Sequence, residues 1–182
     1  LVSSFTNNGV TRDVEFTTVQ NGAGGTIKGV EIGYQQFYTF LPGPLSGLGF
    51  QGNYTYIDSN VITTAAFPVN QAGGVVLLSP SLKLPLANLS KHNLNLVGIY
   101  SKKWFEGRVA YVWRSRNLLT EVDSVTPGLP VFAEPYGQLD ASTVFTLTKF
   151  MKLGVQGVNL TNSITRTTRT TTSTDPTALP RG

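Results

Sequence analysis

Polar and apolar residues alternate with period two along much of the chain, the pattern that sends successive side chains to opposite faces of an extended strand. From Lys28 to Phe40 the even positions are Lys28, Val30, Ile32, Tyr34, Gln36, Tyr38 and Phe40, a largely apolar and aromatic set. The odd positions, Gly29, Glu31, Gly33, Gln35, Phe37 and Thr39, are mostly small or polar. Between Leu48 and Asp58, Leu48, Phe50, Gly52, Tyr54 and Tyr56 oppose Gly49, Gln51, Asn53 and Thr55. From His92 to Ser101, Leu94, Leu96 and Tyr100 oppose Asn93, Asn95 and Ser101, with Val97 and Ile99 interrupting the polar side. From Phe105 to Leu118, Phe105, Val109, Tyr111 and Trp113 oppose Glu106, Arg108, Arg114 and Arg116, with Ala110 and Val112 between. The cleanest alternation runs from Gln138 to Thr148, where Leu139, Ala141, Phe145 and Leu147 face away from Gln138, Asp140, Ser142, Thr146 and Thr148. From Met151 to Thr161, Met151, Leu153 and Val155 oppose Lys152, Gly154 and Gln156, and the alternation then slips at Val158-Asn159-Leu160, as a β-bulge makes it do.

This pattern predicts about six strands of about ten residues each, where strands of soluble proteins average roughly 5–6. A tilted strand that crosses a bilayer needs about 9–11. The connections sort by length. Leu41–Gly47, Lys102–Trp104 and Lys149-Phe150 are short, whereas Asn60–Lys91 and Leu119–Gly137 are long. Short turns on one side and long loops on the other are the habit of outer-membrane barrels. No run approaches the roughly 18 apolar residues of a membrane helix, and the beginning of the chain does not resemble a signal peptide.

Composition sharpens this picture. The 182 residues suffice for one domain with a sizeable core, and the net charge of +4 is modest. Charged residues make up 13%, about half the usual ~25% share. The polar face is built from Gly, Asn, Gln, Ser and Thr rather than the Lys and Glu of a soluble sheet. There is no cysteine, which excludes disulfides, thiol catalysis and Cys-based metal sites, and the single histidine, His92, leaves no basis for a His cluster or a Ser-His-Asp triad. His92 opens a strand beside a long loop and reads as a hydrogen-bonded interface residue rather than a ligand.

The run GLGFQG, Gly47 to Gly52, matches the dinucleotide pattern G-x-G-x-x-G, but a strand follows it where a helix is required, and a Pro/Gly turn precedes it. It reads as a turn leading into a strand, and no cofactor is expected. Asn53-Tyr54-Thr55, Asn88-Leu89-Ser90 and Asn159-Leu160-Thr161 match the glycosylation pattern by chance on strands and strand ends. The Thr-rich run from Thr161 to Thr174 holds Arg166 and Arg169, too few cations for a nucleic-acid tail, and reads as a strand entering an external loop. No carboxylate pair stands near an activated nucleophile, so no enzyme is expected.

These readings predict an all-β, antiparallel transmembrane barrel segment with the soluble arrangement inverted. Val30, Ile32, Tyr34, Leu139 and Phe145 face lipid, and Tyr38, Phe40, Tyr100, Trp104 and Phe105 form an aromatic girdle near the short turns. Glu31, Gln35, Gln51, Asn53, Asn93, Asn95, Arg108, Arg114, Arg116 and Asp140 face a hydrated lumen, as contacts for a plug or solute. The blander expectation for the charged members is a ladder of cross-strand pairs between the arginines and Glu31 or Asp140.

The segments Gly25–Ser59, Leu89–Ser101, Arg108–Thr120, GQLDAS (Gly137–Ser142) and LGVQGVNLTN (Leu153–Asn162) resemble the C-terminal barrel of TonB-dependent outer-membrane receptors, in the branch common in Caulobacter- and Xanthomonas-like proteobacteria. The resemblance implies a barrel of about 22 strands around an N-terminal plug, of which this chain supplies about seven or eight strands within one domain, 1–182. The plug, the TonB box and the final strand expected after Leu179–Arg181 are then missing, and the ends look truncated. It implies turns at Leu41–Gly47, Ser101–Trp104 and Thr148–Met151 in the periplasm, with external loops at Ile57–Leu89 and Leu119–Tyr136. It also implies a bacterial outer-membrane location. The partners would be membrane lipid and lipopolysaccharide, the plug, the TonB–ExbB–ExbD complex and a scarce solute such as a siderophore, vitamin or oligosaccharide, with no nucleic acid. Two other readings stay open from the residues themselves. One is a complete eight-stranded barrel serving as adhesin or anchor, and the other is a soluble β-sandwich that binds glycans.

Overall fold

A computed structural model describes residues 2–15, 24–64, 67–71, 74–78, 81–121 and 130–169. Its strands are β1 (Val2–Asn7), β2 (Val10–Glu15), β3 (Gly25–Phe37), β4 (Leu48–Thr64), β5 (Phe67–Gln71), β6 (Gly74–Leu78), β7 (Ser81–Leu84), β8 (His92–Lys102), β9 (Phe105–Arg114), β10 (Asn117–Thr120), β11 (Val131–Ala133), β12 (Tyr136–Thr146), β13 (Lys152–Gly157) and β14 (Thr167–Arg169). One 3-10 turn, Gly43–Gly47, is the only helical element among the described residues.

The principal sheet runs β3-β4-β8-β9-β12-β13, every neighbour antiparallel, and β7 pairs the far end of β4. It is open, with β3 and β13 at its edges. The remaining strands form two hairpins, β1-β2 and β5-β6, and a small sheet β10-β11-β14. The long connection read between Asn60 and Lys91 therefore contains the end of β4 and three more strands. Alternation marked β4 only to Asp58, yet its pairing with β3 continues to Val61, and β7 then takes the place of β8 beside it.

Three boundaries differ from the pattern for local reasons. β3 ends at Phe37, so Tyr38 and Phe40 belong to the following turn, where Tyr38 N still donates to Leu48 O at 2.9 Å. β9 ends at Arg114 rather than Leu118: Ser115, level with His92, still donates its N–H to His92 O, but its side-chain Oγ accepts from His92 N at 3.0 Å where a ladder would use a backbone carbonyl. β13 ends at Gly157, where the expected slip occurs. Ala141 opposes Gly157, yet Leu160 N donates to Leu139 O at 2.7 Å, so one extra residue is inserted against β12. Asn159 takes up that extra residue with φ 55°, and its side chain ties down Ser163 with Nδ2 donating to Ser163 O at 3.0 Å and Oδ1 accepting from Ser163 N at 2.8 Å. Asn88 also has positive φ, 61°. Two of the three glycosylation-like asparagines thus mark left-handed turns, which Asn tolerates better than most residues.

The glycines of GLGFQG clear space instead of cradling phosphate. A Cβ on Gly47 would stand 2.7 Å from Ser101 O, and one on Gly49 would stand 2.7 Å from the Phe37 ring. The Thr-rich run lies outside the described residues from 170 onward, as does Leu179–Arg181.

Candidate functional site

The strand register assigns every wall residue to one of two faces. Because directly paired residues in a sheet point the same way, rows can be read across it. One row is Ile32, Tyr54, Leu94, Trp113 and Gly137; the next is Tyr34, Gly52, Leu96, Tyr111 and Leu139. Below them come Phe50, Gly98, Val109, Ala141 and Gly157, and then Phe105, Phe145 and Leu153. This face is mainly apolar and aromatic, with Gln36 level with Phe50, Thr143 level with Gly107 and Tyr100, and Lys102 level with Phe105 at its short-turn end. Ile32 is 63% exposed and Val30 53%, so these side chains do not pack into a protein core.

Rings gather at its two ends. Near the short turns, Tyr38–Phe40, Tyr100–Phe105, Trp104–Phe105 and Phe105–Phe145 have centroids 6.0, 5.9, 5.6 and 5.0 Å apart. Near the long loops, Tyr54 and Tyr56 flank His92, with centroids 6.2 and 5.3 Å from its ring, and the Tyr54 hydroxyl lies 2.7 Å from His92 Nδ1. His92 is thus the hydrogen-bonded residue that its position suggested. Phe150, absent from the expected girdle, is 99% exposed at the β12–β13 turn.

The opposite face reads Glu31, Thr55, Asn93, Arg114 and Tyr136 in one row; Gly33, Asn53, Asn95, Val112 and Gln138 in the next; then Gln35, Gln51, Val97, Ala110 and Asp140. Arg108 lies one row further, level with Ser142. Nine of the ten polar-face candidates therefore share this surface. Its links are mainly neutral or half-charged hydrogen bonds. Asn53 Nδ2 donates to Glu31 Oε1 at 2.6 Å, Tyr136 OH to Gln138 Oε1 at 2.6 Å, and Gln138 Nε2 to Asp140 Oδ1 at 2.8 Å. Asn159 N also donates to Asp140 Oδ1 at 2.7 Å, so Asp140 fixes the bulge.

The expected charge ladder is not what joins these strands. Among the described residues no ion pair links Arg108 or Arg114 to Glu31 or Asp140. Register gives the reason: Glu31 and Arg114 share a row three strands apart, roughly 14 Å at ordinary strand spacing. Arg114 instead donates to Asn117 Oδ1 at 3.2 Å and lies over the Tyr136 ring at 5.9 Å.

Arg116 is the tenth candidate, and it leaves the wall. It follows the end of β9, stacks over Phe132 at 4.2 Å and pairs with Glu134, Nε to Oε1, at 3.3 Å. Thr168 Oγ1 donates to the same Glu134 oxygen and accepts from Arg116 Nη2 at 3.4 Å, so one cluster stitches β11 and β14 to the end of β9.

Beside this cluster the long-loop ends enclose a recess of about 630 Å³. Ile57, Leu84, Leu118 and Phe132 supply apolar lining, and Lys83, Asp58, Lys91 and Arg116 supply charge. Leu84, Leu118 and Phe132 are buried, forming a small hydrophobic core. Lys91 Nζ is 3.1 Å from Asp58 Oδ1 and 5.5 Å over the Tyr56 ring. The carboxylate of Asp58, and secondarily Tyr56, hold the Lys91 ammonium above the ordinary lysine pKa of 10.5. The recess escapes sequence reading because Lys83, Leu84, Lys91 and Phe132 come from connections and meet the strand ends only through the fold. The one local signal was Leu82, Leu84 and Leu86 alternating in SLKLPL.

A family model described as TonB dependent receptor-like, beta-barrel matches residues 1–160. No curated protein and no solved structure matches the chain.

Proposed function

Because the chain belongs to the β-barrel family of TonB-dependent receptors, we propose that its apolar face meets outer-membrane lipid and its polar face lines a hydrated lumen. Receptors of this family are outer-membrane transporters rather than enzymes, and this chain is an all-β segment of such a barrel, not closed by itself. The family works with a plug domain, the TonB complex and a transported solute.

The observation that carries the orientation is the sorting of two chemistries onto two faces across six hydrogen-bonded strands, with the greasy face left uncovered. Its dimensions agree. The eight-residue step along β8 from His92 to Tyr100 joins the two aromatic belts. At ~3.3 Å per residue that is roughly 26 Å along the strand, or about 20 Å of membrane thickness at a tilt of ~40°. The lipid-facing band of such barrels is about 25 Å tall. On this reading Val30, Ile32, Tyr34, Leu139 and Phe145 contact lipid, the aromatic belts meet the headgroups, lipopolysaccharide among them, and Glu31, Asn53, Asn95, Arg108 and Asp140 face the plug or passing solute. The recess beside Leu118 and Phe132 is where an incoming solute is first held, since an apolar pocket with a few convergent polar groups suits capture. The solute belongs to the scarce class that such receptors import, a siderophore, vitamin or oligosaccharide, and the receptor to the Caulobacter- and Xanthomonas-like branch.

Cysteine labelling tests the orientation, read against the receptor without the added cysteine, since these 182 residues contribute none of their own. With Val109→Cys and Asn95→Cys placed separately in the whole receptor, a water-soluble maleimide is expected to label Asn95→Cys and spare Val109→Cys in intact membranes. The reverse pattern sinks the orientation. Growth of a receptor-deletion strain on each candidate iron, vitamin and carbohydrate source identifies the solute.

A further inference from the structure

The short-turn ends of the wall carry an unusual charge. Ser101–Phe105 and Thr146–Lys152 contain Lys102, Lys103, Lys149 and Lys152 and no Asp or Glu, Tyr38–Gly47 has no charge at all, and the nearest carboxylate, Glu106, stands level with Ser101 on the polar face. The long-loop end differs, mixing Asp58, Glu121 and Glu134 with Lys83, Lys91 and Arg116. A stretch of rim with one sign of charge attracts the opposite sign.

The two lysine-bearing turns are built as one surface. They connect β8 to β9 and β12 to β13, and β9 pairs with β12, so the turns are neighbours. Thr146 N donates to Trp104 O at 2.9 Å, bonding one turn to the other. Trp104, 62% exposed, and Phe150, 99% exposed, project from them. Lys102 is already committed, its Nζ donating to Ser46 Oγ at 2.6 Å and Gly43 O at 3.1 Å, which pins the third turn alongside. Lys103 and Lys149 are exposed and have no carboxylate partner among the described residues. Lys152 lies on the polar face, level with Thr146.

We infer that this rim binds the phosphate headgroups of anionic phospholipids in the periplasmic leaflet, Lys103 and Lys149 meeting the phosphate while Trp104 and Phe150 enter the layer just beneath it. Aromatic side chains favour this depth, and basic side chains beside them favour anionic lipid. Lipopolysaccharide is not the occupant, since short turns face the periplasm and not the outer leaflet. The exposed rings favour lipid over a soluble polyanion, which offers them no hydrocarbon. The inference rests on the orientation proposed above.

The test uses the whole receptor in nanodiscs of phosphatidylcholine, with or without phosphatidylglycerol. Phosphatidylglycerol is expected to raise the thermal midpoint, and the Lys103→Gln/Lys149→Gln variant to lose that increment while keeping its midpoint in phosphatidylcholine. Native mass spectrometry should show phosphatidylglycerol retained roughly five-fold less per lysine removed. Lys103→Arg/Lys149→Arg should keep both effects, which guards against a folding defect in the first variant. An unchanged increment in the Gln variant overturns the site, and so does an equal increment produced by inorganic phosphate or a soluble polyanion. If Asn95→Cys still labels and Val109→Cys does not, such a failure removes the lipid site alone; if that labelling inverts, the orientation fails first.

Discussion

Along the wall strands large apolar side chains stay at the surface, with Ile32 63% and Val155 59% exposed, whereas at the long-loop end Leu118 is 0% and Phe132 2% exposed. The same chain thus handles its apolar residues in two ways. The wall buries only the small side chains Val97 and Ala110, on its polar face, among the described residues, and it hydrogen-bonds its backbone strand to strand with its greasy face uncovered, as the proposed contact with lipid requires. The small sheet β10-β11-β14, with β7, does what a soluble protein does and hides Leu84, Leu118 and Phe132 from solvent. The difference tells where stability comes from: the wall draws on its surroundings, and the cap draws on its own contacts. Each can therefore be broken separately.

The largest effect is expected from Phe132→Ala, which empties the centre of the cap and removes the ring beneath Arg116. Truncating a buried aromatic costs about 3–5 kcal/mol. Hydrogen exchange on the whole receptor should show amides of β10, β11 and β14 losing protection while β4, β8, β9 and β12 keep theirs. Loss of protection through the wall as well would mean that the two regions are one cooperative unit.

A charge in the greasy face is the matching blow to the wall. Val109→Arg puts a cation on the proposed lipid face, level with Gly98 and between the two aromatic belts but nearer the short-turn one, where arginine at a depth between midplane and interface costs about 1–3 kcal/mol. Gln51→Arg, at a similar level on the polar face, should cost well under about 1 kcal/mol if that face lines a hydrated lumen as proposed. Denaturant titration of the receptor in vesicles measures both. Equal costs for the two substitutions would erase the distinction between the faces.

The contrast also explains what could be read from residues alone. The wall announces itself because one rule, two chemistries sorted onto two faces, repeats over strands of about ten residues, and Tyr54, Leu94 and Val109 obey it wherever they fall. The bulge at Asn159 was visible as a slipped period. The cap has no such repetition. β7, β10, β11 and β14 are three or four residues long, too short for a period to show, and they meet through the fold rather than along the chain. Arg116 illustrates the cost of extrapolation. Counting by twos from Arg114 keeps it on the wall, but the ladder ends where His92 N bonds the Ser115 side chain in place of a carbonyl, and Arg116 meets Glu134 and Phe132 instead. The charge ladder is thinner than alternation suggests, because Glu31 and Arg114 share a row three strands apart and Arg108 and Asp140, diagonal neighbours on β9 and β12, form no ion pair.

A smaller effect separates the cap's polar seam from its apolar core. Arg116→Met keeps much of the stem over Phe132 but leaves the Glu134 carboxylate with one partner fewer, and both side chains are mostly shielded, 16% and 23% exposed. Leaving a shielded charged group without its ion-pair partner costs about 1–3 kcal/mol, and about 1–2 kcal/mol fits this partly exposed seam. Faster exchange confined to β11 and β14 is the expected signature. Restoration by Arg116→Met combined with Glu134→Gln would attribute the loss to the stranded carboxylate rather than to packing.

The smallest effect belongs to the junction of the two regions, where Lys91 reaches Asp58 across the mouth of the recess. Both side chains are half exposed, 52% each, so solvent and salt screen the pair and its contribution is slight. Its pH dependence nevertheless has a definite sign. The folded state holds the Lys91 pKa above the ordinary value of 10.5, with Asp58 the first cause and Tyr56 the second. The stabilisation is therefore complete below the ordinary lysine pKa and is lost as pH rises through the raised one. At neutral pH Lys91→Met should lower the thermal midpoint slightly in low salt, with the difference shrinking as salt is added. Above the raised pKa wild type and variant should converge, since the lysine is then neutral in both folded and unfolded chains. A difference that survives high salt and high pH would show that the Lys91 stem packed on Tyr56, and not its charge, ties the cap to the wall.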